Sequence, residues 1–256
     1  MKTAKVNGTE IHYEMHGKPG SSWLILSHSL ACTTRMWDPQ VAAFKDRYCI
    51  LNYDMRGHGK SAAPAGPYTL DMLADDVLGL MKQLGIERAT FMGLSIGGMI
   101  GQTLALKAPK LFDKMVLADT GHTQPPEAIK QWQERIHIAQ TQGMKALVPS
   151  TMERWFTPAF RESPAAKAIA KLIENTPVAG YVGCGQAIMK LNTTARLKDI
   201  KLPVLAIAGE ADPAAPGTKY LGENIPGAKL VMLKQAGHIA NVEQPENFNQ
   251  ALRDFL

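Results

Sequence analysis

The segment Phe91-Met92-Gly93-Leu94-Ser95-Ile96-Gly97-Gly98 places a serine between an apolar run and a second apolar stretch over residues 100–106. Gly93 and Gly97 flank Ser95 in the pattern Gly-x-Ser-x-Gly, and glycine leaves room where a strand turns sharply into a helix. An apolar strand before the serine and a helix after it are the context that this pattern requires. The segment therefore predicts a strand–turn–helix unit that presents the Ser95 hydroxyl as a nucleophile.

The composition is that of a globular chain with room for one large domain or two small ones. Of 256 residues, 45% are hydrophobic and 20% are charged, which argues against disorder and fibrous structure. The sequence contains no apolar run of about eighteen residues and no apolar core of a signal peptide. We therefore predict one continuous cytoplasmic domain with no membrane partner.

Charge and cysteine usage exclude further classes of protein. The net charge is +5, but 28 basic residues are interspersed with 23 acidic ones and form no basic block, so we expect no nucleic-acid partner. Cys32, Cys49 and Cys184 are widely separated, which predicts reduced thiols rather than a disulfide framework or a zinc ribbon. The histidines show no compact ligand spacing, so we expect no metal site.

Short apolar runs bounded by turn residues alternate with helical patterns along much of the chain. Thr69 begins a helical stretch that Gly85 ends, and Asp38-Pro39 has the form of a helix cap followed by a proline in the first turn. We predict strands at residues 11–15, 23–27, 48–54, 89–93, 114–119, 203–209 and 229–233. This alternation predicts an α/β fold with a mostly parallel sheet and helices on both faces.

One region interrupts the alternation. Residues 122–194 contain no convincing strand but several helical starts, including Ser163-Pro164 and Thr176-Pro177, where a capping residue precedes proline. We interpret this region as a helical lid inserted on the sheet.

A serine nucleophile needs a base and a group that orients the base. Asp212 and His238 each come just after one of the last two predicted strands. Because the carboxyl ends of parallel strands meet at one edge of a sheet, we expect Ser95, Asp212 and His238 to converge there. Glu210 and Asp119 are the alternative acids, since Asp119 ends the strand that follows the Ser95 helix.

The serine motif, and the order serine, aspartate, histidine, resemble the α/β-hydrolase fold family over essentially the whole chain. The resemblance implies a mostly parallel eight-stranded sheet flanked by helices, with a helical lid. It divides the chain into a core of residues 1–121 and 195–256 and a lid of residues 122–194. It further implies a serine hydrolase that needs no cofactor and acts on a small-molecule ester or lactone.

In this family, two backbone N–H groups stabilise the oxyanion of the tetrahedral intermediate. The resemblance assigns these donors to Ile96, directly after the serine, and to Leu30, in the loop after the strand at residues 23–27. This loop begins His28-Ser29, whereas the family usually has His-Gly. We expect His28 to hold the loop in place and to have no catalytic role.

Two glycine-containing stretches are not interpreted as ligand sites. Residues 54–61, with the sequence DMRGHGKS, lack the first glycine of a phosphate-binding loop, so we predict a structural turn and place His58 outside the catalytic groups. Gly183-Cys184-Gly185 falls within the helical insertion and does not follow a strand, which excludes a dinucleotide-binding turn.

Three further segments resemble the 3-oxoadipate enol-lactonase branch of the family: LSHSL at residues 26–30, RMWDPQ at 35–40 and RWFTP at 154–158. His28 and Cys32 stand where that branch has asparagine and glycine. The resemblance implies an enzyme of aromatic catabolism that opens 3-oxoadipate enol-lactone to 3-oxoadipate. The alternatives are a carboxylesterase, another lactonase, a carbon–carbon bond hydrolase or a perhydrolase, and lastly a non-catalytic ligand-binding protein.

A lactone with a carboxylate arm requires a small, mostly apolar pocket with at least one cation. Arg35 near the oxyanion loop, and Arg135 and Arg154 in the lid, are the candidate cations. Trp132 and Trp155 are candidates for the pocket wall. For each arginine the alternative is a solvated surface position, and for each tryptophan it is packing within the lid.

Overall fold

One eight-stranded sheet organises the molecule, as the sequence predicts. A computed structural model describes residues 2–256. The strands are β1 (Lys2–Val6), β2 (Thr9–Gly17), β3 (Trp23–Ser27), β4 (Cys49–Tyr53), β5 (Ala89–Leu94), β6 (Phe112–Ala118), β7 (Val204–Gly209) and β8 (Lys229–Leu233). Their order in the sheet is β1-β2-β4-β3-β5-β6-β7-β8. The pairs β1–β2 and β2–β4 are antiparallel, and all later pairs are parallel.

Helices connect the parallel strands and cover the sheet. They are α1 (Asp38–Phe44), α2 (Leu70–Leu84), α3 (Ile96–Lys107), α4 (Pro126–Gln142), α5 (Val148–Trp155), α6 (Pro164–Glu174), α7 (Val178–Met189), α8 (Ala215–Asn224), α9 (Ala240–Glu243) and α10 (Pro245–Arg253). Helix α3 packs on β5 and β6, and α8 packs on β7 and β8. None of these helices, in residues 2–256, is both long and apolar enough to cross a lipid bilayer.

Position in the sheet explains which strands were readable from the sequence. Every residue of β4, β5 and β7 is buried, because inner strands of the sheet are covered on both faces, and most of their side chains are apolar. Strand β1 lies at an edge, where Lys2 pairs with Tyr13 and three of its five residues are exposed. Its two lysines obscure the alternating pattern, so the sequence does not predict this strand.

Local capping chemistry accounts for several helix ends. The Thr69 hydroxyl accepts a hydrogen bond from the Met72 amide at 3.0 Å, and Gly85 ends α2 with φ +67°. Two predicted caps are wrong. Asp38 is the first residue of α1 rather than its cap, and the Thr176 hydroxyl donates backwards to the Leu172 carbonyl at 2.9 Å.

Helices α4 to α7 form one segment between β6 and β7. The two ends of the segment meet, because Thr123 pairs with Asn192 and the Thr193 amide donates to the His122 carbonyl at 2.8 Å. This closure supports the division at residues 122 and 194, which stays a prediction.

Helix α7 joins the core through a contact between two backbones. A Cβ atom on Gly180 would lie 1.9 Å from the Gly57 carbonyl oxygen, and one on Gly183 would lie 2.7 Å from the Tyr68 ring. Gly57 belongs to the turn at residues 54–61, which the Asp54 carboxylate holds by accepting from the amides of Thr34 and Lys60. The glycines of α7 therefore serve packing.

We predict that Gly180→Ala destabilises the protein by about 2 kcal/mol, because the new methyl group has to push two backbones apart. Gly185→Ala in the same helix is the matched control. Its Cβ would meet only the flexible end of Ile136, at 3.1 Å. Urea unfolding followed by circular dichroism measures both variants. Equal losses of unfolding free energy would contradict the prediction.

Candidate active site

Ser95 lies at the turn between β5 and α3, in a strained backbone conformation with φ 58° and ψ −117°. A Cβ atom on Gly93 would lie 2.1 Å from the Gly97 carbonyl oxygen, and one on Gly97 would lie 2.2 Å from the Ser27 carbonyl oxygen. Both glycines are therefore required by the close approach of backbone. The Thr120 hydroxyl fixes the turn by donating to the Ser95 carbonyl at 2.8 Å.

His238 and Asp212 meet across the ends of β8 and β7. The His238 Nδ1 atom lies 2.9 Å from Asp212 Oδ1, and the side chains are 12% and 1% exposed. The Ala214 amide donates to the same carboxylate oxygen at 2.9 Å. Because a carboxylate accepts, this geometry assigns the proton to Nδ1 and leaves Nε2 as an acceptor.

Ser95, Asp212 and His238 line one cavity of about 410 Å³. The structure therefore brings together the three side chains that the sequence predicted to converge. Among residues 2–256, no hydrogen bond joins the Ser95 hydroxyl to His238. Such bonds are commonly long or poorly aligned before substrate binds.

Among the described residues, neither alternative acid forms a hydrogen bond to His238. Glu210 is exposed at the surface. Asp119 follows β6 and is completely buried, with its Oδ1 atom accepting a hydrogen bond from the Gly209 amide at 2.9 Å. Asp212 is thus the carboxylate in contact with the His238 imidazole.

The backbone N–H groups of Leu30 and Ile96 are free to bind an anion. Within the described residues, neither group donates a hydrogen bond, and Leu30 lines the cavity beside Ser95. Ala31 adopts φ +57° in this loop, so the left-handed residue is Ala31 and not the serine that replaces the family's glycine.

Two buried histidines hold the oxyanion loop. The His58 Nε2 atom accepts from the Ala31 amide at 3.0 Å, and His28 Nε2 accepts from the Met55 amide at 2.9 Å. The His28 Nδ1 atom lies 2.7 Å from the Ser29 carbonyl oxygen. Burial lowers the pKa of His28 to about 4 and that of His58 to about 3, so both rings are neutral at neutral pH.

Arg135 and Arg154 project from the helical segment into the cavity. Burial, together with the nearby charge of Arg135, lowers the pKa of Arg154 to about 10, which still leaves it charged at neutral pH. Neither guanidinium lies within ion-pair distance of a carboxylate of the described residues. The Tyr181 ring faces both arginines, whose charges counteract the upward shift that burial imposes on its pKa.

The two tryptophans line the same cavity and also pack within the segment. The Trp132 ring lies 5.0 Å from the Arg135 guanidinium and 6.3 Å from the Tyr181 ring. The Trp155 ring lies 5.7 Å from His238. Both tryptophans therefore lie in the cavity wall, the position for which the sequence makes them candidates.

Arg35 is the one predicted contact that the structure keeps away from the cavity. Its side chain is 67% exposed and forms an ion pair with Asp38 at 2.7 Å. The short helical turn at Thr34–Trp37 buries Met36 and Trp37, which directs Arg35 outwards.

The sequence does not single out Glu243, which lies behind the loop that carries His238. Its Oε2 atom accepts from the Gly237 amide at 2.7 Å, while Oε1 accepts from the Thr157 amide at 3.0 Å and from the Thr157 hydroxyl. Glu243 thus ties the loop of His238 to the end of α5. No local pattern could have revealed a bond between residues so distant in sequence.

Comparisons with known proteins agree with this architecture. A family model described as the alpha/beta hydrolase fold matches residues 16–143. A 3-oxoadipate enol-lactonase of Acinetobacter baylyi is 38% identical over 98% of this chain and 94% of its own. RutD of Stutzerimonas stutzeri, a proposed carbamate hydrolase, is 31% identical over 96% of each chain. The crystal structure of an enol-lactonase from Burkholderia xenovorans LB400 has a TM-score of 0.95 and 39% identity, covering 99% of both chains.

The buried histidines predict a loss of stability in acid. Their pKa values in the folded protein, about 4 and about 3, lie below the ordinary value of 6.5, so the unfolded chain binds protons first as pH falls. The stabilisation is complete above pH 6.5 and is lost towards pH 3, about 3 kcal/mol for His28 and about 5 kcal/mol for His58. Urea unfolding between pH 7 and pH 4 measures it.

His58→Gln should flatten this pH dependence, because glutamine can accept from the Ala31 amide without binding a proton. His137→Gln, at an exposed position on α4, is the control and should leave the slope unchanged. An unchanged slope in His58→Gln would show that other groups cause the acid sensitivity.

Proposed function

This chain belongs to the alpha/beta hydrolase fold family and is a hydrolase of the carboxylic ester class, and from that premise we propose a serine lactonase for small anionic substrates. The proposed reaction opens 3-oxoadipate enol-lactone to 3-oxoadipate through an acyl-enzyme on Ser95. The proposed catalytic residues are Ser95, His238 and Asp212, with Leu30 and Ile96 supplying the oxyanion donors.

The observation that carries the proposal is the pair of cations at the cavity wall. Arg135 and Arg154 are partly withdrawn from water and form no ion pair with a carboxylate of the described residues, and a desolvated cation without a paired anion is unfavourable. A substrate carboxylate would supply that charge, and arginine binds carboxylates in two-point geometry. The enol-lactonase relatives named above support the same substrate class.

The chemistry would begin with proton transfer. His238 takes the Ser95 proton on Nε2 while Nδ1–H stays bonded to Asp212 at 2.9 Å. The serine oxygen attacks the lactone carbonyl carbon, and the carbonyl oxygen becomes an anion that accepts from the two free amides. When the ring C–O bond breaks, the enolate oxygen departs but remains attached to the enzyme through the acyl chain.

The second half restores the enzyme. His238 first delivers the proton that it took from Ser95 to the enolate carbon, which gives the ketone of the product and leaves the imidazole neutral. His238 then removes a proton from water, the resulting hydroxide attacks the acyl carbon, and the ester bond to Ser95 breaks with return of the proton to the serine oxygen. In both halves Asp212 fixes the tautomer of the neutral imidazole and stabilises the imidazolium that forms from it.

A comparison of two substrates tests the proposed function. We expect kcat/KM for 3-oxoadipate enol-lactone to exceed that for p-nitrophenyl acetate by about 10³ or more, since each tenfold ratio corresponds to about 1.4 kcal/mol of transition-state discrimination. Ser95→Ala and His238→Ala should abolish turnover of both substrates, and Asp212→Asn should nearly do so. Thermal melting verifies that the variants are folded.

A ratio near or below one would remove the lactone assignment and favour an esterase, another lactonase, a carbon–carbon bond hydrolase or a perhydrolase. Full activity of Asp212→Asn would return the role of the acid to Asp119. Full activity of Ser95→Ala would remove the serine mechanism altogether.

The carboxylate contact has its own test. Arg154→Met should lower kcat/KM for the lactone by about 100-fold, the loss expected for a charge-assisted hydrogen bond, while the neutral ester changes by less than about threefold. Arg35→Met removes an arginine outside the cavity and should change neither rate. Equal effects of Arg154→Met on both substrates would contradict carboxylate recognition.

A further inference from the structure

A second buried carboxyl group lies behind the proposed acid. Strands β6 and β7 are parallel neighbours, so Asp119 at the end of one and Asp212 beyond the end of the other come together. The Asp119 amide donates to the Ile207 carbonyl at 2.8 Å, which anchors it to β7. The two residues are 0% and 4% exposed, and both belong to the lining of the cavity beside Ser95.

One oxygen of each carboxyl group has no hydrogen-bond donor among the described residues. Asp212 Oδ1 accepts from His238 and from the Ala214 amide, and Asp119 Oδ1 accepts from the Gly209 amide. Both Oδ2 atoms are buried and, among the described residues, receive no N–H or O–H donor of another group. Two deprotonated carboxyl groups would leave both buried oxygens without a hydrogen-bond donor.

We propose that Asp119 is a neutral carboxylic acid that donates a hydrogen bond from its own Oδ2 to Oδ2 of Asp212. Asp212 then carries the only negative charge behind His238, and its two oxygens are held from opposite sides. Asp119 is therefore a positioning residue for the acid. This inference rests on the proposed function of Asp212.

The charged groups around the pair favour this placement of the proton. Asp212 faces the His238 imidazole, and the charge of Arg154 on α5 reaches it as well. Asp119 accepts from the Gly209 amide and forms no ion pair with a cation of the described residues, and burial together with the Asp212 charge raises its pKa well above the usual range. Of two adjacent buried carboxyl groups, the one without a cation keeps the proton.

The backbone at Asp119 adds a structural argument. Its φ of +46° lies in the left-handed region, which aspartate tolerates better than most residues. Ser95 shares this feature with φ +58°, so two strained residues lie next to each other at adjacent strand ends. A strained residue that is fully buried and polar is typical of a functional position.

The test is the pH profile of kcat/KM in variants of Asp119. Asp119→Asn retains a neutral donor, so we expect kcat/KM within about threefold of wild type and an acidic limb at the same pH. Asp119→Ala removes the donor, so we expect kcat/KM to fall about tenfold with an acidic limb at the same or higher pH. p-Nitrophenyl acetate serves as the substrate, because it does not depend on the carboxylate site.

Two outcomes would overturn the proposal. If Asp119 were ionised, Asp119→Asn would remove a negative charge near His238 and move the acidic limb down by about one pH unit or more. If Asp119 were only a packing residue, Asp119→Ala would lose stability but retain the wild-type rate.

Infrared spectroscopy tests the proton even if a variant fails to fold. Folded wild-type protein at pH 7 should show the carbonyl stretch of a protonated carboxyl group, and so should Ser95→Ala. Absence of this band in wild type would overturn the proposal. Turnover by Ser95→Ala would instead overturn the proposed function, so the two failures are distinguishable.

Discussion

The close approach of backbone around Ser95 is the constraint on which the site depends. The space beside the serine is filled by the carbonyl groups of Gly97 and Ser27, so the turn can exist only without side chains at its two glycines. This packing forces the serine into a strained conformation and directs it to the carboxyl edge of the sheet. The other reactive side chains lie at the same edge because their strands are parallel to β5.

The buried charges of the site are stabilised to different degrees, and this difference determines the chemistry of the site. Asp212 is stabilised by donors and by the imidazole, whereas the two cavity arginines form no ion pair with a carboxylate in residues 2–256 and stay open to an external one. Burial also keeps His28 and His58 neutral, so they accept hydrogen bonds from loop amides instead of carrying charge. Desolvation thus has two effects in this protein. It keeps the histidines that hold the oxyanion loop neutral, and it leaves the two cavity arginines able to bind an external carboxylate.

The sequence revealed features that depend on local sterics or on topology. The Ser95 turn was predictable because glycine is required there for local reasons, and the convergence of Asp212 with His238 follows from parallel strands. Arg35 was wrongly predicted to reach the cavity. Its direction depends on which residues of its helical turn are buried, and the turn buries Met36 and Trp37, which sequence spacing does not encode. Strand β1 was missed because its lysines obscure its period.

Other features depend on tertiary contacts that no window of sequence contains. The bond from Glu243 to the Thr157 amide spans 86 positions in the chain. Thr176 had the form of a cap, which accepts from an amide, but its hydroxyl donates to the Leu172 carbonyl four residues earlier, a local alternative that the capping pattern does not exclude. The Glu243 contact becomes visible only when the helices are packed.

The contact between Gly57 and Gly180 has a consequence for how such an enzyme can change during evolution. The segment of helices α4 to α7 rests on the core through a contact between main chains, so its position does not depend on the side chains that face the cavity. Substitutions on α4 and α5 can therefore reshape the cavity and its charge without moving the reactive groups below. One scaffold can in this way acquire different substrates, and the relatives of this chain, named for lactone and carbamate hydrolysis, illustrate that range.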